Sequence, residues 1–251
     1  HRQLTERLGL KAAPETLFLP ELLHDPETRE RFTQALDRYG QVDAMEALIG
    51  EHHPSWSSLS ARLIEVEGQL AHLLWGFDIS AHKALEGQLR ELATRDALSG
   101  LLNRRAFLER STALFDHCRR HGQPCAVLMI DIDHFKRIND QHGHAVGDRV
   151  LQAVCERIGH RLRRTDVFCR LGGEEFMVLC PDIDGEHAHT LAVELWQGLR
   201  SAPVDVVGVV TASFGIASWR LGEGADALLL RADSGVYMAK QRGRDRVEQM
   251  S

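Results

Sequence analysis

Two glycines and two glutamates stand between apolar runs in the stretch RLGGEEFMVLC, which begins at Arg170. Gly172 and Gly173 between strand-like segments predict a tight hairpin turn. A plain hairpin does not need Glu174 and Glu175, and their adjacent charges repel each other. The pair therefore indicates a positive group opposite the turn, such as a metal ion, although an exposed acidic turn is the commoner alternative.

A second candidate site ends the apolar run CAVLMIDID at residues 125–133. Asp131 and Asp133 are two residues apart, so on a strand their side chains face the same side. A carboxylate at the end of a buried strand is costly unless it is paired or binds a metal, and oxygen ligands of this kind suit Mg²⁺. The position of Asp131 at the end of the strand favours metal binding. For Asp133, a role as helix N-cap is an equal alternative to metal binding.

Cations end the last predicted helix, in YMAKQRGR at residues 237–244. Lys240 and Arg244, four residues apart on one helical face, could grip a polyphosphate, the arginine through its forked guanidinium. Cations at a helix C-terminus also suit the helix dipole, and the spacing does not decide between the two. Carboxylates, a glycine turn and a cationic clamp together suggest phosphoryl chemistry.

Composition excludes some classes of protein. The 251 residues contain 30 Lys and Arg against 36 Asp and Glu, a net charge of −6, which argues against a general nucleic-acid binder. Five cysteines without a C-x-x-C pair favour a reducing compartment. No run approaches the roughly 18 apolar residues of a membrane span. The chain opens at His1, so we interpret it as a fragment.

Hydrophobic patterns predict an α+β fold with a mostly antiparallel central sheet and helices packed against it. A helix is expected over 20–40, with its end at Gly40, and two strands over 55–80, joined at Glu67-Gly68. A connector helix follows, whose leucine seam is barely two heptads long and weak evidence for a coiled coil. From residue 96, strand material is expected over 125–133 and 204–218, and helices over 147–164, 186–202 and 224–244.

Four segments in order resemble the diguanylate cyclases, or GGDEF family: DALSGLLNRRAF (96–107), DIDHFKRINDQHGHAVGD (131–148), GGEEF (172–176) and YMAKQRGR (237–244). The resemblance covers residues 96–251 and implies a fold like the nucleotidyl cyclase and polymerase palm domains. It also implies an enzyme that condenses two GTP molecules to cyclic di-GMP with loss of two pyrophosphates. Two positions differ from the usual family pattern. Ser99 replaces Thr and keeps the hydroxyl, and Glu174 replaces Asp and keeps the carboxylate.

The resemblance also assigns roles to residues. The cofactor implied is Mg²⁺, with Mn²⁺ as a substitute, and its ligands are Asp131, Ile132 through its carbonyl, Glu174 and Glu175. The implied catalytic residues are Glu174, as base on the 3′-hydroxyl, and Lys136. Guanine and phosphate contacts fall to Asn139, His144, Asp148, Lys240, Arg244, Gly172 and Gly173. Cyclic di-GMP, as product and inhibitor, would bind the R-x-x-D pair Arg163 and Asp166, which could otherwise be a surface ion pair worth under about 1 kcal/mol.

The first part of the chain resembles the end of a PAS sensor domain, over about residues 17–80. Three domains are predicted: a partial PAS-like sensor and dimerisation domain at 1–80, a signalling helix at 81–95 and the cyclase domain at 96–251. His52, His53 and His72 are interpreted as surface or packing residues rather than metal ligands.

Because each subunit would hold one GTP, the resemblance implies a homodimer. It also implies a bacterial cytoplasmic domain, which could belong to a longer membrane-attached chain. The alternative function is a catalytically idle receptor for GTP or cyclic di-GMP. The complete GGEEF set, with Asp131, Lys136 and Lys240, favours the enzyme.

Overall fold

Two structural units divide the chain between Arg90 and Glu91. The computed structural model describes residues 23–50 and 54–250. Part of the predicted first domain, including His52 and His53, therefore lies outside the described residues. His72 is exposed on a strand of the first unit.

The first unit contains helix α1 (Pro26–Tyr39) and an antiparallel sheet of β1 (Gln41–Ile49), β2 (Ser55–Val66) and β3 (Gln69–Asp78). Asp25 caps α1 by accepting a hydrogen bond from Thr28 N, and Gly40 ends the helix with φ 66°, a left-handed conformation that suits glycine. The predicted helix end and the turn at 67–68 are confirmed. Strand β1 was not predicted. Helix α2 (Ser80–Thr94) follows the sheet.

The second unit is built on a six-stranded sheet in the order β4-β6-β7-β5-β8-β9. Its strands are β4 (Leu102–Asn103), β5 (Cys125–Ile132), β6 (Val167–Gly172), β7 (Glu175–Pro181), β8 (Ala212–Ser218) and β9 (Arg246–Met250). Its helices are α3 (Arg104–His121), α4 (Phe135–His142), α5 (His144–Gly159), α6 (Gly185–Arg200) and α7 (Ala225–Gln241). A short 3₁₀ turn, Asp205–Val207, precedes β8.

Strand β5 lies in the middle of this sheet and is buried along its whole length. Its side chains alternate between two cores: Leu128 and Ile130 pack with α4, α5 and α6, and Val127 and Met129 pack with α3 and α7. The pairings among β6, β7, β5 and β8 are antiparallel, and only the outer pairs, β4–β6 and β8–β9, are parallel. The predicted α+β fold with a mostly antiparallel sheet is confirmed.

Several predicted boundaries were wrong. Helix α5 begins at His144 and ends at Gly159 rather than spanning 147–164, and β8 takes up only the last part of 204–218. Helix α7 ends at Gln241, because Gly243, Arg244 and Asp245 all adopt positive φ. Arg244 therefore does not share a helical face with Lys240. Within residues 23–50 and 54–250, no helix is long and apolar enough to cross a membrane.

Candidate active site

Asp131 and the glycine–glutamate turn meet at one edge of the central sheet. Asp131, next to last in β5, is paired in register with Glu175 on β7 and with Ser213 on β8. The backbone N–H of Ile132 donates to the Glu174 carbonyl at 3.2 Å. The predicted metal ligands Asp131, Ile132, Glu174 and Glu175 are thus brought together by strand pairing.

Negative charges outnumber positive charges at this edge of the sheet. Asp131 is 5% exposed, and burial raises its pKa, as do the nearby Glu174 and Glu175 carboxylates. The Lys240 ammonium acts in the opposite direction, with its Nζ 2.7 Å from Asp131 Oδ2. Lys240, predicted to hold phosphate, is therefore the buried carboxylate's ion-pair partner here.

The glutamates themselves are uncompensated. Glu174 is half-buried and Glu175 is exposed. Neither carboxylate has a hydrogen bond or an ion pair with any described residue. Three carboxylates with one ammonium between them form an environment that an added cation would stabilise.

Arg170 holds the turn, and the sequence analysis missed its role. Its Nε and Nη2 donate to the Gly173 carbonyl at 3.0 and 2.7 Å, and its Nη1 donates to Asp96 Oδ1 at 2.9 Å. Gly172 and Gly173 have φ of 145° and 53°, values that favour glycine. The turn is thereby tied to the first residue of the DALSG segment.

Asp96 is a fixed anchor for this arginine. The same Oδ1 accepts from Ser99 N at 2.9 Å and from Ser99 Oγ at 2.6 Å. Burial raises the pKa of Asp96, but the hydrogen bonds from Ser99 and Arg170 outweigh burial and leave the pKa below its usual value. The Ser99 hydroxyl, which a threonine would also provide, therefore makes a hydrogen bond to Asp96.

Asp133 has a structural role, and the predicted N-cap alternative for it was wrong. Its Oδ1 accepts from Ser213 Oγ at 2.7 Å, and its Oδ2 accepts from Thr211 Oγ1 at 2.9 Å and from Asp245 N at 3.0 Å. The N-cap position of α4 belongs to His134. Asp133 instead joins the starts of β8 and β9.

Helices α4 and α5 carry the predicted substrate contacts. Lys136 is exposed and has no partner among the described side chains, and Asn139 lies on the same helix. Gly143 turns the chain with φ 83°, so that α5 begins at His144. Both His144 and Asp148 are exposed.

Gly147 is a second residue that the sequence analysis missed. A methyl group at this position would overlap Asn139 Oδ1 and would lie 3.3 Å from Phe135 Cζ. A larger residue would displace the Asn139 amide, so Gly147 leaves Asn139 in place beside the residue that precedes Asp148.

The R-x-x-D segment forms a turn between α5 and β6. Asp166 Oδ2 accepts from the Arg163 backbone N–H at 2.7 Å, and Asp166 N donates to the Arg163 carbonyl at 3.1 Å. Burial raises the pKa of Asp166. The Arg163 guanidinium is exposed and makes no ion pair with this carboxylate among the described contacts, so the alternative of a plain surface ion pair is not formed.

Within residues 23–50 and 54–250, no three His, Cys, Asp or Glu side chains form a ready metal site. Asp131 and Glu174 would therefore need a backbone carbonyl and ligand oxygens to complete a coordination shell. Such an incomplete shell fits Mg²⁺, which usually keeps waters and binds one or two carboxylates plus substrate phosphates.

The chain is similar in sequence to proteins from Caulobacter and Pseudomonas. Response regulator PleD from Caulobacter vibrioides is 36% identical over 250 residues, which cover 95% of this chain and 52% of PleD. Diguanylate cyclase DgcP from Pseudomonas aeruginosa is 40% identical over 170 residues, 66% of this chain and 25% of DgcP. The chain thus spans about half or less of these relatives.

Solved structures give the same result. The coiled coil and GGDEF domain of DgcB from Caulobacter crescentus, in complex with c-di-GMP, superimposes with a TM-score of 0.65 at 29% identity. That match covers 68% of this chain and 93% of the other. Residues 93–246 match the family described as "Diguanylate cyclase, GGDEF domain". The chain therefore belongs to the GGDEF family of diguanylate cyclases.

Proposed function

We propose that the chain synthesises cyclic di-GMP from two GTP molecules and releases two pyrophosphates. The observation that carries the proposal is the buried Asp131 carboxylate beside Glu174 and Glu175 at the edge of the central sheet, with Lys240 as its ion-pair partner. Carboxylates and cations converging at a glycine turn are the groups that phosphoryl transfer requires.

Mg²⁺ would be held by Asp131 and Glu174 with the Ile132 carbonyl, and Glu175 lies close enough to add charge. Mn²⁺ has the same preference for oxygen ligands and would substitute. When bound, the cation would neutralise charge that builds on the transferred phosphate and orient the reacting groups. The donor set fits such an ion, because all of its atoms are oxygens.

The protein side chains would supply proton transfer and charge stabilisation. Glu174 would take the proton from the 3′-hydroxyl, whose oxygen then attacks the α-phosphate of the other GTP as the bond to pyrophosphate breaks. Lys136, Lys240 and Arg244 would offset the charge of the triphosphate. For Lys240 this requires a shift from Asp131 toward the substrate.

Guanine recognition would fall to the α4–α5 pair. Asn139 offers an amide and Asp148 a carboxylate, and these match the donor and acceptor edge of guanine. His144, at the start of α5, is one helical turn from Asp148. Gly172 and Gly173, with no side chains at the turn, would leave room for the nucleotide.

Two subunits would be needed, since the product joins two nucleotides and each domain offers one set of these residues. The seam of α2 supports an interface: Leu85, Leu89 and Leu92 are 54%, 58% and 73% exposed. Helix α2 also has no buried residue. A parallel pair of such helices would bury the seam.

Arg163 and Asp166 would form the product-binding site. Cyclic di-GMP offers phosphates and guanine faces, on which an exposed guanidinium can pair or stack. One strand, β6, connects this turn to Gly172. We place the reaction in the bacterial cytoplasm, because the five cysteines are free and buried, as expected in a reducing compartment.

The function is tested by incubating the purified chain with GTP and Mg²⁺ and separating the nucleotides. We expect cyclic di-GMP, one pyrophosphate for each GTP consumed, and no product when a chelator removes the metal. GTP binding without any product, at protein concentrations where dimers form, would favour the idle receptor instead.

A further inference from the structure

A cavity lies on the side of α4 away from the proposed substrate contacts. It has a volume of about 190 Å³ and is lined by α4 and by the segment that leads into β8. This volume is below the roughly 300–1,000 Å³ of drug-sized sites, so the cavity suits a small ligand of one or two rings. None of its lining residues belongs to the substrate-binding set proposed above.

The cavity and the proposed substrate contacts use opposite faces of the same helix. Arg137, Gln141 and His142 line the cavity, whereas Lys136 and Asn139 do not. With 3.6 residues per turn, positions 137 and 141 lie about 100–160° around the helix from positions 136 and 139. A molecule in the cavity would therefore contact the face of α4 that does not carry Lys136 and Asn139.

The polar side of the cavity is cationic. Arg137 is exposed, and its guanidinium has no hydrogen bond or ion pair with any described residue. His134, His142 and Gln141 add donors around it. The one acidic residue in the lining, Asp133, has its oxygens occupied by Ser213, Thr211 and Asp245 N. Arg137 thus remains an unneutralised positive charge in a chain of net charge −6.

The opposite side of the cavity is apolar. Ile138, Val207, Val209 and Val210 line it, and Val209 is 57% exposed. Exposed aliphatic side chains beside an unpaired guanidinium match a ligand that has both an apolar body and an anionic group.

We infer that this cavity is a binding site for a small organic anion, a carboxylate or phosphate ester carried on one or two rings or a branched chain. The anionic group pairs with Arg137, which can hold two oxygens at once. The apolar body packs on Ile138 and the valines. The site is separate from the guanine nucleotide site, and its occupation does not depend on whether the chain synthesises cyclic di-GMP.

The probe for this site is 1-naphthoate, titrated calorimetrically into the full chain. Val209→Trp fills the cavity, and we expect it to abolish binding. Val206, 63% exposed in the same segment but outside the lining, supplies the matched control, and Val206→Trp should leave the affinity within twofold. Arg137→Gln should weaken binding at least tenfold, whereas Arg110→Gln, which removes an equal charge on α3, should not.

Two further measurements test whether the site requires an anionic ligand and whether it is separate from the nucleotide site. The neutral 1-naphthamide should bind at least tenfold more weakly than 1-naphthoate. A saturating non-hydrolysable GTP analogue should leave the affinity for 1-naphthoate unchanged. The inference is overturned by no binding at millimolar probe, by equal losses in the Val206 and Val209 variants, by equal affinity for the amide, or by displacement of the probe by the GTP analogue.

Discussion

Arg170 connects the glycine–glutamate turn to a distant part of the chain. Its guanidinium bonds both the Gly173 carbonyl and Asp96, and its side chain is 11% exposed. A partly buried arginine with charge-assisted hydrogen bonds fixes geometry more firmly than a surface ion pair does. The position of Glu174 therefore depends on a residue outside the proposed metal and substrate contacts.

Replacing this arginine should damage turnover without removing any proposed catalytic group. Arg170→Lys keeps the charge, but an ammonium cannot reproduce the forked contacts. We expect kcat to fall about tenfold or more and the unfolding free energy to fall by about 2 kcal/mol. Arg164→Lys, at an exposed position in the turn before β6, is the control, and similar effects of both changes would contradict the positioning role.

Arg163 should affect product inhibition alone. Arg163→Ala removes an exposed guanidinium and leaves the turn's Asp166 bond intact, because that bond uses the backbone N–H. We expect unchanged initial rates and at least tenfold weaker inhibition by added cyclic di-GMP at saturating GTP. If wild type and variant were inhibited equally, Arg163 would be an ordinary surface residue.

At the scale of elements, the contact between α4 and α5 depends on Gly147, which has no side chain. Gly147→Ala should destabilise the fold by about 1–3 kcal/mol, because the added atom overlaps Asn139 and crowds Phe135. Displacement of Asn139 should also raise the KM for GTP. Denaturant unfolding and steady-state kinetics measure the two effects.

Gly159, the last residue of the same helix, is the matched control. A methyl group there meets nothing within 4 Å, so Gly159→Ala should be neutral or stabilising by up to about 1 kcal/mol. Equal destabilisation by both changes would mean that loss of glycine in the helix, rather than crowding at Asn139, is responsible.

Local patterns predicted the elements that have a clear apolar run or a glycine signal. The apolar run before Asp131 predicted a central strand, since a strand covered on both faces needs no polar alternation. The two glycines predicted the turn, and Gly40 predicted a helix end. These features depend on residues close together in the chain.

Contacts between distant residues could not be predicted in this way. The bond between Arg170 and Asp96 spans 74 residues, and that between Asp133 and Ser213 spans 80, so neither leaves a periodic pattern. Arg244 was misplaced for a different reason: the positive φ at Arg244 and Asp245 is rare for such residues, and cations after a helix look like its continuation. The candidate site was thus predicted in its residue types but not in its supporting contacts.

At the scale of the whole molecule, synthesis should require a pair of chains. Specific activity should rise with protein concentration over the range in which light scattering shows partial dimerisation, because only a pair brings two GTP molecules into attack geometry. Constant specific activity across a dilution series in which the dimer dissociates would exclude this arrangement.

The most direct test of the account is the rate of cyclic di-GMP synthesis by Glu174→Gln, compared with wild type and with Glu156→Gln at an exposed position on α5. An amide is a poor ligand for Mg²⁺ and a poor base. We predict at least a thousandfold loss of synthesis for Glu174→Gln, with an unchanged unfolding midpoint, and near-normal synthesis for Glu156→Gln. Near-normal synthesis by Glu174→Gln with Mg²⁺ would contradict the assignment of metal binding and proton transfer to the glycine–glutamate turn.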